Sequence, residues 1–154
     1  MYSWLVVLHL VGLAVFLIAH GVSMWVAFRI RGETNRDVVS AFLGLSARGS
    51  QVMYVGLILL GIGGLGAAAS AGWLTAGWVI ASYVTVVVIF LLMYMLGAGF
   101  YYPLREGIEG TEKTPRLDDA ELTARLQNRR PEALAVVGGI GLLVLIWLMT
   151  LKPF

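Results

Sequence analysis

Residues Tyr2 to Phe28 read YSWLVVLHLVGLAVFLIAHGVSMWVAF, 27 positions without a single Asp, Glu, Lys or Arg. At 1.5 Å of rise per residue, a helix of that length is about 40 Å long, enough to cross the hydrocarbon of a bilayer and enter both headgroup layers. Trp4 and Trp25 lie near its two ends, where amphipathic rings favour the membrane–water boundary. The run stops at Arg29-Ile30-Arg31-Gly32-Glu33. No cation precedes it and no small-residue cleavage site follows, so it is expected to be a retained first helix and not a signal peptide.

Three further apolar stretches follow, at about 52–70, 78–102 and 132–151. With the first, at about 2–28, they give a single all-α membrane domain over 1–154, a bundle of four transmembrane helices. Pro131 suits the first turn of the last one, where its missing N–H would have no helical partner. The composition agrees: 59% of residues are hydrophobic and only 13% charged, against roughly 25% charged in soluble domains. There are no cysteines, which excludes disulfides, thiolate metal sites and cysteine nucleophiles.

Cation placement sets the expected orientation. Arg29, Arg31, Arg36 and Arg48 lie between the first two spans, and Arg105, Lys113, Arg116, Arg125, Arg129 and Arg130 between the last two. The short connection near Gly72–Gly77 has none, the N-terminus none, and the C-terminus only Lys152. Both long loops are therefore expected in the cytoplasm and both termini outside, in an inner (cytoplasmic) membrane. Cations that flank spans in this way face lipid and give no reason to expect nucleic acid. Asp118 and Glu121 form the pattern of a capping box, and Glu121 can pair with Arg125 at i,i+4. A short surface helix is expected at about Asp119–Asn128, and a second amphipathic one over Asp37–Ala47. The alternative for both is a solvated linker.

Every acidic residue and every Lys or Arg falls outside the spans or at their edges. That argues against a proton-coupled pump or a transporter of charged substrates, which need intramembrane charge. His9 and His20 are left as the titratable groups inside the first span. Eleven residues apart, they return to within about 20° of the same helix face, with about 16 Å between them along the axis. That is too far for one shared ion and fits two sites at different depths. Imidazole is an axial ligand of haem iron, and bundle cores hold such cofactors. His9 and His20 are thus the expected cofactor-binding residues, as ligands of haem b or of a metal. Gly12 and Gly21 nearby would let a flat macrocycle approach. Two bis-histidine haems need four imidazoles, so a homodimer would have to supply two. Otherwise Met24, Met53, Met93, Met95 or Met149 serves as second ligand. The alternative role for each histidine is polar glue between helices.

Gly61-Ile62-Gly63-Gly64-Leu65-Gly66 matches G-x-G-x-x-G in form only, because the dinucleotide fingerprint needs a preceding strand. Its expected role is helix packing, along the rows Gly64/Ala68/Gly72 and Gly63/Ala67/Ala71. Ser82, Tyr83, Thr85 and Tyr94 need no site to explain them. Nothing resembles a nucleophile with its base.

Tyr2-Ser3-Trp4-Leu5-Val6-Val7-Leu8-His9 resembles the start of several small four-helix membrane families that open with Tyr-x-Trp-x-x-x-x-His. These are the J-type membrane protoporphyrinogen oxidases, the CopD-like copper-resistance domains and related predicted integral membrane proteins. Tyr102-Pro103-Leu104-Arg105 is similar to the last group. The resemblance implies that His9 is a haem b ligand. The oxidases continue with a Trp and a Pro-Arg-Leu motif where this chain reads Phe16-Leu17-Ile18-Ala19-His20-Gly21, so His20 rests on helical geometry alone. The expected function is cofactor binding through these histidines, for electron transfer or metal handling. The alternative is a non-catalytic membrane subunit that assembles through its Gly/Ala rows, in a homo-oligomer or a larger membrane complex.

Overall fold

The structure is a computed structural model that describes residues 1–110 and 115–154; Lys113, counted above among the loop cations, lies outside them. The described residues form five α-helices: α1 Tyr2–Arg29, α2 Arg36–Ser70, α3 Gly77–Glu109, α4 Asp119–Leu126 and α5 Arg130–Leu151, with a 3₁₀ turn at Ile30–Gly32 after α1. Four stretches, built on α1, α2, α3 and α5, are long and apolar enough to cross a membrane. The most extensive helix contacts are α1 with α2 and α3 with α5.

The α1–α2 contact is made by glycines. An ideal Cβ placed on Gly56 would fall 2.6 Å from the backbone N of Phe16 and 3.0 Å from the Gly12 carbonyl oxygen. One on Gly63 would land on the His9 backbone, and one on Gly12 on the backbone of Leu60. Gly49 lies against the Ala19 carbonyl and the Ser23 hydroxyl, at ordinary contact distance. The glycines of α2 thus recur every seven residues, 49, 56 and 63. The facing positions of α1, Leu5, His9, Gly12, Phe16, Ala19 and Ser23, alternate steps of four and three. This is the heptad seam of a left-handed antiparallel pair, with glycine where a coiled coil has leucine, so the backbones meet directly.

The members of the expected rows of small residues have different surroundings. Of the row Gly63/Ala67/Ala71, Gly63 alone is fully buried, in the contact with α1. Ala67 is only half-buried, because steps of four drift off a seam that repeats every seven. One turn beyond Gly63 it is Gly66 that meets α1, its Cβ position 2.8 Å from the Leu5 side chain. Ala67 serves the end of the helix instead, its carbonyl accepting from the Ala71 N–H and the Ser70 hydroxyl, and Ala71 is the C-cap residue. In the row Gly64/Ala68/Gly72, Ala68 is buried, whereas Gly72 has left the helix with φ of +73°. The Gly72 N–H bonds to Ala69 and that of Trp73 to Ala68, a left-handed cap that ends α2 and needs glycine for its positive φ.

Two helices outrun their expected spans. The surface helix expected over Asp37–Ala47 is the first third of α2, which runs unbroken for 35 residues, about 52 Å. Asn35 starts it by accepting hydrogen bonds from the N–H groups of Asp37 and Val38. Helix α3 does not close at Tyr102 but continues through Pro103 to Glu109. Pro103 withholds one N–H from the helix, and packing beyond it compensates. Leu104 and Ile108 are buried with Val26, Ile30, Val39, Leu43, Phe100, Leu122 and Leu126 in the main core. That core lies at the loop end of the bundle, where water drives burial at about 1.5–3 kcal/mol per large apolar side chain. In the spans, by contrast, side chains such as Leu10, Ile18, Ile58, Val84 and Leu143 stand exposed on the outer faces, as suits contact with lipid.

Helix α4 has the expected capping box, with Asp118 and Glu121 each accepting from the other's backbone. Glu121 makes no ion pair with Arg125 among the described residues; its carboxylate is committed to the cap. Arg31 instead secures the end of α4, donating to the Gln127 and Asn128 carbonyls and to Glu132, and Arg36 donates to Asp119. The Asn35 and Thr34 N–H groups and Arg29 hold the Glu33 carboxyl below its usual range, against a smaller opposing effect of desolvation. At the other end of the bundle Lys152 lies 4.3 Å above the Trp73 ring, and Trp73 meets Tyr2 and Trp78 edge to face.

Alanine at Gly56 meets backbone that cannot yield, so Gly56→Ala is expected to destabilise the detergent-solubilised protein by about 1–3 kcal/mol. Gly21 has nothing within 4 Å of its Cβ position, and Gly21→Ala should be neutral or stabilising by up to about 1 kcal/mol. Unfolding midpoints of the two variants moving in the same direction would contradict the seam.

Candidate functional site

His9 occupies one position of the α1–α2 seam, and the glycines opposite decide its setting. Gly63 lets the His9 backbone approach, and Gly64 makes room for the ring. A Cβ on Gly64 would fall 2.8 Å from His9 Nδ1 and 3.0 Å from Cε1. The Nδ1–Cε1 edge of the imidazole therefore lies against α2, with Nδ1 2.8 Å from the Leu60 carbonyl oxygen. A carbonyl only accepts, so Nδ1 carries the proton and donates it. In neutral imidazole that leaves Nε2 as an acceptor with a free lone pair.

His9 borders a cavity of about 290 Å³ between the two helix pairs. Leu57, Leu60 and Gly61 of α2, Ser82, Tyr83, Val86, Val87, Phe90 and Leu91 of α3, and Met149 of α5 form the rest of its wall. Almost all of that surface is apolar. The Ser82 hydroxyl is already donated to the Trp78 carbonyl, and the Tyr83 hydroxyl lies 3.4 Å from the Cβ position of Gly64. The ligand-capable atoms left for the cavity are the imidazole of His9, the thioether of Met149 and the Tyr83 phenol. A backbone carbonyl that orients one ring nitrogen so that the other can ligate is a common arrangement behind metal-bound histidine.

His20 does not share this site. Its ring stacks on Phe16, with centroids 5.6 Å apart and planes 4° from parallel. Its Nε2 lies 3.6 Å from the Cβ position of Gly138 on α5, a point from which the Met93 sulfur on α3 is 3.7 Å away. The two histidines thus face different neighbours, His9 toward α2 and the cavity, His20 toward α3 and α5. Each has a methionine thioether in its surroundings.

Of the other expected second ligands, Met95 is 70% exposed and projects away from the bundle, and Met24 and Met53 are half-buried without joining either histidine's surroundings as described. Gly12, expected to admit a macrocycle, is filled by the Leu60 backbone and has no such room. Among the described residues no group of three or more His, Cys, Asp or Glu side chains comes together. What the sequence reading missed is Gly56, whose spacing from Gly49 and Gly63 was the available signal.

Gly64→Ala puts a methyl group where the His9 ring lies. The ring is expected to swing off Leu60 and lose a hydrogen bond of the kind worth about 1 kcal/mol in membranes. A double-mutant cycle of Gly64→Ala with His9→Phe checks this, with a coupling of that order expected and additive effects contradicting it.

In comparisons with known proteins, no family model, no curated protein and no solved structure matches this chain.

Proposed function

We propose that this chain is a small multi-pass protein of the inner membrane that binds haem b or a metal ion through His9, for electron transfer or metal handling. The observation that carries the reading is the bond from His9 Nδ1 to the Leu60 carbonyl at the wall of an intramembrane cavity. It fixes the tautomer that leaves Nε2 free to ligate. Met149 is the second donor that the same cavity offers, and His20 with Met93 forms a second imidazole–thioether pair at another depth. The proposed orientation has both termini outside and the two basic loops in the cytoplasm, supported by the distribution of cations.

Imidazole plus thioether serves either ligand chemically, since His/Met ligation occurs in haem proteins and both donors suit copper. The volume discriminates. About 290 Å³ is at the lower limit of the roughly 300–1,000 Å³ of small-molecule pockets, and no cation lines the cavity to meet a haem propionate. A bare soft ion fits as the helices stand. A macrocycle would need more room than the cavity gives as the helices stand. The chain's part in either case is to hold the ligating nitrogen in place and keep water away. The cofactor would supply the redox chemistry.

The alternative is a non-catalytic membrane subunit that assembles through its Gly/Ala rows; of those positions Gly63 and Gly64 make contacts within the chain, which favours the cofactor reading. The test is a visible spectrum, oxidised and reduced, together with metal analysis of protein expressed with ample haem and copper. A Soret band or a stoichiometric metal is expected in the wild type and should be lost in His9→Ala. Wild-type protein that is colourless and metal-free under both conditions would overturn the proposal.

A further inference from the structure

A second cavity, of about 300 Å³, opens between the first third of α2 and the last third of α3, lined by Ser40, Leu43, Arg48, Arg105, Ile108 and Glu109 among others. Two arginines from two different helices face one cavity. Neither makes an ion pair with Glu109, or with any other acid, among the described residues. Arg105 is held in place by donating to the Leu43 carbonyl at 2.9 Å, and among the described residues its other guanidinium donors have no partner.

Depth identifies the occupant. Arg48 lies four residues before the apolar stretch of α2 begins at Val52, and Arg105 three residues after that of α3 ends at Tyr102. At helical rise these are about 6 Å and about 4.5 Å beyond the hydrocarbon. The headgroup layer on each side of a bilayer is roughly 5–8 Å thick. Both guanidiniums therefore stand at the level of the lipid phosphates, on the side with the basic loops. The geometry points to a binding site for the phosphate of an anionic glycerophospholipid. Arg48 and Arg105 clamp the phosphate, as guanidinium does well. Leu43 and Ile108, farther from the hydrocarbon than the two arginines, border the polar end of the headgroup, and the acyl chains run the other way, along the apolar stretches of α2 and α3. With Glu109 counted, the lining carries one net positive charge, which matches a headgroup with one net negative charge such as phosphatidylglycerol. Basic pockets between membrane helices on the cytoplasmic side bind anionic headgroups by this chemistry.

The test uses the full chain, delipidated in detergent and titrated with phosphatidylglycerol or phosphatidylcholine, with bound lipid counted by native mass spectrometry. One arginine at a charged membrane surface corresponds to about a fivefold change in affinity. Wild type should prefer phosphatidylglycerol, and Arg48→Gln should lower that preference about fivefold. Arg125→Gln removes an equal charge from α4, away from the cavity, and should leave the preference unchanged. Equal losses in the two variants would mean general surface attraction and overturn the site, as would absence of preference in the wild type. Glycerol 3-phosphate provides the last arm. Should it bind the wild type while phosphatidylglycerol shows no preference, the ligand is a soluble phosphate and the lipid assignment falls.

Discussion

Direct backbone contact between α1 and α2 is the constraint on which the rest of this molecule depends. Lipid offers helices no hydrophobic reason to associate, so association rests on close packing and on hydrogen bonds between them. Gly12, Gly56 and Gly63 remove the side chains that would hold the two backbones apart. Only at that separation does a carbonyl inside α2 come within reach of an imidazole on α1. The His9–Leu60 bond is thus a product of the seam, and the orientation of His9 follows from glycines that make no chemical contribution of their own.

The two ends of the bundle are held by different physics. At the loop end, water is present, and large side chains such as Ile30, Leu43, Leu104 and Leu126 bury themselves almost completely. This cluster carries α3 through Pro103 and fastens α4 to the bundle. Within the spans many large side chains point outward, and the α1–α2 contact is made by small residues. The cavity beside His9 lies where the close α1–α2 pair meets the α3–α5 pair, two units whose mutual contacts are sparse. Sparse contact between two well-packed pairs leaves a gap, and His9 lines that gap.

Much of this architecture was legible in the sequence because it rests on local rules. Charge-free runs marked the four long helices, Asp118 and Glu121 marked the start of α4, and Pro131 the start of α5. The continuation of α2 back to Arg36 was not legible, because Arg48-Gly49-Ser50-Gln51 looks like a break. Gly49 is in fact a packing position against Ala19 and Ser23. Small residues at four-residue spacing, such as Gly63, Ala67 and Ala71, suggest the tight right-handed crossings of membrane helices. The operative spacing is seven, which belongs to a left-handed pair and leaves Ala67 at the margin. The place of each histidine on its helix could be read, but its partners could not. His9 and His20 share a face by periodicity, and what separates their roles is where α2, α3 and α5 stand.

The proposed function depends on a free His9 Nε2 facing the cavity. It is tested most directly by ¹⁵N NMR of the protein labelled at histidine, in a His20→Gln background so that one imidazole remains. The expected result is a proton on Nδ1 and none on Nε2, and a shift of the Nε2 resonance alone when haem or copper(I) is added. A proton on Nε2, or two equivalent nitrogens in rapid exchange, would contradict it and reduce His9 to a packing residue.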